Sequence, residues 1–294
     1  MDKTGYISQH CMDPLVITIL LLVIPLGILI GLGAGIVGMT AWPLVVPLFL
    51  IFGGYPLHEV LLSSMLIDLV IAGNLSIFYL RKSEIMVDSI YSTKLGVVAG
   101  VVATVTAIFA FPILYQYSDL FKGGSAIVTM ILGGLFIVQA VRMNHTDISD
   151  DLQNTFVTRG RFENQFSGKQ KDAIAYGFCI IQGVLTGVLA IGGAMNIVIV
   201  LMFLLGYPIL RAVGTAMITT TIMLTMTVIT YLILLQFTLS TLPLVTLYMV
   251  IAGTSSYLAV TKVQNISERK LRFTIGIVIL IAAISATAQA YLIG

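Results

Sequence analysis

Charge is what this sequence has least of. Lys, Arg, Asp and Glu together make up 10% of its 294 residues, while 58% are hydrophobic. A soluble domain carries roughly 25% charged residues, so the composition excludes that class and fits a polytopic membrane protein. The mean hydropathy of +1.05 agrees. The longest polar stretch, Asn144 to Lys171, spans 28 residues and reads as a loop rather than a domain. Histidine is nearly as scarce: His10, His58 and His145 all lie at or beyond the ends of apolar segments. An intramembrane haem or histidine metal site therefore lacks ligands, and no cofactor is expected. There is no G-x-S-x-G elbow and no H-E-x-x-H helix, which leaves an intramembrane hydrolase without a nucleophile or a metal. Without a G-x-x-x-x-G-K-[ST] loop, ATP-driven pumping by this chain alone is unsupported. The sequence therefore predicts no enzyme, and its energy source is an ion or substrate gradient. The two cysteines, Cys11 before the first span and Cys179 within a later one, are not placed to bridge each other. The first 14 residues mix Asp2, Lys3, His10 and Asp13 and lack a positive lead-in, so the first apolar segment is expected to be retained.

What is there is a series of apolar runs: Leu15 to Phe52, Leu57 to Leu80, Leu95 to Tyr115, Gly123 to Val141, Ala173 to Leu205, Ile209 to Leu235, Leu242 to Thr261 and Phe273 to Ile293. A helical crossing needs about 20 residues. The first run has 38 and the fifth 33, and glycines interrupt both. Counted as single passes, these two runs give eight crossings and divide Lys and Arg nine to six between the sides. If each run goes in and comes back, there are ten passes and the division becomes 13 to 2, with only Lys3 and Lys122 in the minority. The positive-inside tendency selects the second count. It predicts residues 1–14 as an external tail, 15–143 as a first transmembrane repeat, 144–171 as a cytoplasmic loop and 172–294 as a second repeat, with both termini outside. Parity does not distinguish full crossings from half-membrane hairpins.

The same sequence matches itself at an offset of 152. Gly54-Tyr55-Pro56 falls on Gly206-Tyr207-Pro208, Gly31 on Gly183, Gly35 on Gly187, Met65 on Met217 and Tyr79 on Tyr231. That gives 10 identities in the 50 pairs from 31/183 to 80/232. Five passes per half is odd, so the repeats should be inverted, with glycine-broken segments meeting near mid-membrane around one site. The expected fold is all-α and polytopic, two inverted repeats of about five passes each.

The runs Gly183-Val-Leu-Thr-Gly-Val-Leu-Ala-Ile-Gly-Gly193, Leu205-Gly-Tyr-Pro208, Arg211-Ala-Val-Gly-Thr215 and Ile266-Ser-Glu-Arg-Lys-Leu-Arg272, with Gly31 to Gly38 and Tyr79-Leu-Arg81 in the first half, resemble the sulfite exporter TauE/SafE family of small-anion transporters. The resemblance covers nearly the whole chain outside the N-terminal tail and central loop. It departs at Asn196 to Leu201, where the family usually has a proline. The resemblance implies transport of sulfite, sulfonates, sulfoacetate-like or other small organic anions.

Asp68 is the only acidic residue deep in an apolar run. A lone carboxylate there is costly and should face a cavity, a partner or a proton path. It is the candidate for coupling proton movement to anion movement; the plainer alternative is a protonated cap on a neighbouring carbonyl. Substrate contacts are expected at Gly33, Gly35, Gly38, Gly187, Gly192 and Gly193, where unwound backbone presents N–H groups to an anion. Close helix packing through small residues is the alternative for any of them. Thr40 and Asn196, just beyond the glycines, supply hydrogen bonds, with Gln182 a lesser candidate. Asn74 and Thr219 come from the helices that follow the breaks, where Ser63, Ser64, Thr215, Thr220 and Thr221 also sit. Trp42 either lines the site or packs at an interface. The expected partners are a small anion and the lipid bilayer of the cell membrane, with no nucleic acid; the residues carry no signal of oligomeric state. Two other classes share these features: an anion channel, and a membrane subunit handing a sulfur anion to a soluble enzyme.

Overall fold

A computed structural model describes residues 14–82, 87–116, 168–192, 194–205, 207, 209–235 and 240–262, with isolated positions at 130, 131, 134, 137, 138, 141, 273, 274, 276, 277, 280, 281 and 284. Its helices are α1 (Pro14–Val37), α2 (Trp42–Pro47) running into one π-helical turn (Leu48–Phe52), α3 (Leu57–Arg81), α4 (Ser89–Gln116), α5 (Gly168–Leu189), α6 (Ala194–Leu205), α7 (Ile209–Leu234) and α8 (Leu242–Lys262). Among the described residues there is no strand. In a bilayer the backbone has no water to bond, so a helix that closes its own hydrogen bonds is the available solution for these apolar runs. Five of the helices are long and apolar enough to cross a membrane: Leu57–Arg81, Ser89–Ile113, Lys169–Leu189, Arg211–Leu234 and Leu242–Thr261. The chain is an all-α, polytopic membrane protein. The expected spans over 123–141 and 273–293, the tail 1–13 and most of the loop 144–171 lie outside the described residues. The last four residues of that loop differ from expectation, since Gly168–Lys171 opens α5.

The two long apolar runs each become a long helix, a break and a short arm. Trp42 to Phe52 is 11 residues and α6 is 12, about 16–18 Å at helical rise and only half of a roughly 30 Å hydrocarbon core. Neither arm is a full crossing. The first folds back along α1: the Phe49 ring lies 5.8 Å from that of Tyr248, and Tyr248 in turn borders Gly27, three turns before the end of α1. Pro47 has no N–H to give the Pro43 carbonyl, and the ladder widens into the π turn directly after it.

The offset of 152 reappears in the elements. Adding it to 42–52, 57–81 and the end of α1 gives 194–204, 209–233 and 189, each within one residue of the bounds of α6, α7 and α5. The pairing obeys the same offset, with α1 on α8, its counterpart α5 on α4, and α3 on α7. Contacts along these pairs fix direction. Gly27, Gly31 and Gly35 meet Ile251, Ser255 and Ala259 in turn, and Gly183 and Gly187 meet Ala99 and Ala103 in turn. Both pairs are thus parallel, as are α4 with α7 (Gly96 to Thr219, Gly100 to Met223) and α3 with α8 (Asn74 to Gly253, Phe78 to Tyr257). Across α3 and α7 the order reverses, with Ser76 bonding Thr221 and Tyr79 beside Gly214. So α1, α3 and α8 point one way and α4, α5 and α7 the other, which sets α1, α3 and α4 opposite to α5, α7 and α8 in turn. All seven Lys and Arg among the described residues, Arg81, Lys82, Lys94, Lys169, Lys171, Arg211 and Lys262, fall at one end of this bundle.

Parallel helices come this close because small residues face each other. A Cβ on Gly31 would run into the Ser255 hydroxyl and the Ala252 carbonyl, whereas one on Gly73 would meet nothing within 4 Å. Gly31→Ala should lower stability by about 1–3 kcal/mol through overpacking, and Gly73→Ala, in a helix interior with open space, should be neutral or stabilising by up to about 1 kcal/mol. Thermal unfolding of both variants in detergent checks the difference in sign, and equal effects would contradict the packing described.

Candidate functional site

The first break begins where α1 meets Gly38, whose φ of +75° is the left-handed conformation that glycine adopts without cost. The Gly38 N–H returns to the Ala34 carbonyl at 3.0 Å and closes the helix, and the Met39 N–H reaches the Gly33 carbonyl at 3.3 Å. The chain then crosses Thr40 and Ala41 to enter α2, and Asp68 from the middle of α3 meets it there. The buried carboxylate accepts the Thr40 hydroxyl on Oδ2 and the Ala41 N–H on Oδ1, the latter at 2.6 Å. Thr40 Oγ1 accepts the Trp42 N–H in turn at 3.3 Å. Among the described residues no Lys or Arg pairs with Asp68.

The second break follows α5. Ala190, 152 positions after Gly38, ends that helix in the same way: its φ is +58° and its N–H bonds the Thr186 carbonyl at 2.9 Å. Among the described residues no carboxylate bonds this break. The Ile191 carbonyl is held instead by Gln182 Nε2 at 2.7 Å and by the Thr186 hydroxyl at 2.9 Å, and Asn196 Nδ2 donates to Gln182 Oε1 at 3.0 Å. The two breaks touch. The Met195 N–H donates to the Gly38 carbonyl at 3.1 Å, a backbone bond between the halves.

Two buried polar atoms at this junction have no partner among the described residues: the indole N–H of Trp42 and the hydroxyl of Thr220. Thr220 stands 152 positions after Asp68 and one turn from Leu224, whose side chain closes against Gly192. Buried donors are ordinarily satisfied, so two without a described partner beside the broken helices stand out.

A family profile described as "Sulfite exporter TauE/SafE" matches residues 23–286, an interval that runs from α1 through both breaks to beyond α8. The chain belongs to the sulfite exporter TauE/SafE family. No curated protein and no solved structure matches it. Membership makes it a multi-pass membrane transporter and agrees with its not being an enzyme.

Within this TauE/SafE chain the sequence-derived residues separate into two groups. Gly33, Gly38, Thr40 and Asp68 are gathered at the first break and Gly192 and Asn196 at the second; Gly193 lies outside the described residues. The others stand elsewhere. A Cβ on Gly35 would come within 2.8 Å of Ala259 Cβ, and one on Gly187 would collide with Thr106 and the Ala103 carbonyl. Both glycines serve helix packing. Thr219 bonds the carbonyls of Ser92 and Thr215, at 3.1 and 2.9 Å, between α4 and α7. Asn74 faces Gly253 of α8, and lies six residues from Asp68, about 240° round the helix. Asp68 itself accepts donors at a helix start and does not cap a carbonyl. Thr220 went unselected beside Thr219, although its offset from Asp68 was available to identify it.

Ala190 holds in a left-handed conformation without glycine's freedom, at a cost of roughly 1–2 kcal/mol. Ala190→Gly should relieve this and, after the greater chain entropy of glycine, raise stability by about 0.5–1 kcal/mol. A denaturant titration in detergent reads the change, and a loss of stability would rule the strain out.

Proposed function

We propose that this protein moves a small sulfur-containing anion, such as sulfite or a short sulfonate or sulfoacetate-like molecule, across the cell membrane by alternating access. In this reading the halves are inverted repeats, the anion binds where the two breaks meet, and Asp68 couples its passage to a proton. The observation that carries it is the carboxylate of Asp68 on the Thr40 hydroxyl and the Ala41 N–H. Ionised, Asp68 is an internal anion occupying the donors that a substrate anion needs. Protonation removes its charge and weakens its hold on those donors, so that Thr40, Ala41, Trp42 and Thr220 become available together. Anion binding is then favoured on the acidic side, and proton and anion travel together. The opposed directions of α1 and α5, α3 and α7, and α4 and α8 support the inverted relation, and the cationic end of the bundle is the cytoplasmic one under the positive-inside tendency.

Flux of radiolabelled sulfite and short sulfonates into proteoliposomes, with and without an imposed pH gradient, tests the reading. Saturable uptake that rises with the gradient is the expected result, and Asp68→Asn should leave any residual flux indifferent to pH. A fully gradient-dependent Asp68→Asn protein would remove Asp68 from the coupling. Folded protein with no flux above empty liposomes would remove sulfur anions.

Alternating access also needs two gates, and the offset pairs two ties at opposite ends of the bundle. At one end Glu59 of α3 accepts the backbone N–H and hydroxyl of Ser240, at 2.8 and 2.6 Å. At the other, Arg211 of α7 lies 3.9 Å from Asp88 and stacks on Tyr207, with 4.3 Å from guanidinium carbon to ring centre. Glu59 and Arg211 are 152 apart, and so are Asp88 and Ser240. Each tie fastens the helix after a break, α3 or α7, to a residue just before a helix of the other half, α8 or α4. Breaking one should open that end. With Thr220→Cys as the reporter in a background lacking Cys11 and Cys179, Glu59→Ala should raise labelling by an impermeant thiol reagent from outside, and Arg211→Ala labelling from inside. Labelling unchanged by both would make the ties static.

A further inference from the structure

Beyond the breaks lies a groove to which transport assigns no role. It opens between the C-terminal half of α3 and that of α8, encloses about 740 Å³, and is lined by Asn74, Ile77, Phe78, Arg81 and Lys82 on one side and Gly253, Thr254, Tyr257 and Leu258 on the other. Its floor is set by the close approach of the helices, since a Cβ on Gly253 would lie 2.9 Å from Asn74 Nδ2. From there it runs toward the cationic end, where Arg81 and Lys82 line it. Its apolar wall faces outward: Ile77 and Tyr257 are each about half exposed, at 52% and 51%. On a protein whose outer surface meets acyl chains, such a wall is a lipid contact.

The mouth of the groove is different in kind. Arg81 and Lys82 end α3 side by side and exposed, and among the described residues no carboxylate pairs with either. Lys82 Nζ sits 5.9 Å from the centre of the Phe78 ring, and Phe78 meets Tyr257 edge-on at 6.1 Å. Two aromatic rings and two cations at a helix end mark the headgroup level of a bilayer.

We propose that this groove is a binding site for one anionic phospholipid, its phosphate between Arg81 and Lys82 and the upper part of an acyl chain along Ile77 and Leu258. Charge complementarity and the outward apolar wall argue together for this occupant. A three-oxygen anion would fill a small fraction of the volume and would gain nothing from the wall. Basic pockets between helices at the cytoplasmic face are a general means of holding such headgroups.

The test is native mass spectrometry of the purified full chain with phosphatidylglycerol or phosphatidylcholine added at equal concentration. Preferential retention of a single phosphatidylglycerol is expected. Arg81→Gln with Lys82→Gln should weaken it roughly ten- to thirty-fold, from the attraction of each cation for an anionic headgroup, while Lys94→Gln, which removes a charge outside the groove, leaves it unchanged. Because the double variant changes a helix end, Thr254→Trp provides a second route: it fills the groove with both cations in place and should also expel the lipid. Equal retention of the two lipids, retention that survives both variants, or displacement by millimolar inorganic phosphate alone would each overturn the proposal. The last would mark the groove as a site for free anions.

Discussion

A backbone that leaves its helix inside a bilayer has to find every hydrogen bond again from protein, because no water is there to supply it. That requirement governs the centre of this molecule. Two helices stop within the apolar core, at Val37 and Leu189, and their freed groups are met by one another and by a few side chains. The Met195 N–H takes the Gly38 carbonyl, Asp68 takes the N–H of Ala41, and Gln182 and Thr186 take the carbonyl of Ile191. An apolar residue in place of Asp68 would leave donors at a helix start without their acceptor, and loss of Gln182 would leave a buried carbonyl with one donor fewer. The breaks are tolerated because each is answered locally and because the two answer each other.

This arrangement depends on how near the long helices come. Breaks can meet only if α3 and α7 lie between the outer pairs and those pairs are thin. The small faces provide that: Gly27, Gly31 and Gly35 against Ala252, Ser256 and Ala259, and Gly183 and Gly187 against Ala99, Ala103 and Ala107. Hydroxyls on these helices mostly bond back to their own carbonyls, as Thr221, Thr227 and Thr230 do to Met217, Met223 and Met226. A membrane interior rich in threonine therefore presents few free hydroxyls. Thr220 and Thr215, with none of these bonds, are the exceptions on α7 among the described residues.

Much of the scaffold was legible because hydropathy and length report it directly: the helices from Leu57, from Ile209 and from Leu242 begin where the apolar runs do. The offset of 152 was legible too, and it transfers from sequence to element bounds nearly unchanged. What the residues concealed was the use made of glycine. The same residue type permits positive φ at Gly38 and close approach at Gly35, three positions earlier, and nothing in the letter distinguishes them. Conversely, the left-handed cap of the second half is an alanine, so its equivalence to Gly38 had no residue signature at all. Partners far apart in sequence, such as Glu59 with Ser240 or Gln182 with a carbonyl beyond the helix end, needed the fold before they could be seen. Asp68 was conspicuous as a buried acid, but its partners were not, since Thr40 and Ala41 are ordinary residues until a break frees their donors.

Where the halves agree in backbone they differ in charge. Asp68 faces Thr220 across the offset, Glu59 faces Arg211, Asp88 faces Ser240, and Thr40 faces Gly192. A transporter for an anion has reason to avoid the symmetric alternative. Two carboxylates buried at the centre would repel each other, and a medium of low effective dielectric constant makes that repulsion larger than in water. A single carboxylate, paired across the offset with a hydroxyl, avoids that repulsion. The halves thus share a backbone pattern, while among the described residues only the first answers its break with a carboxylate and the second answers with an amide and a hydroxyl.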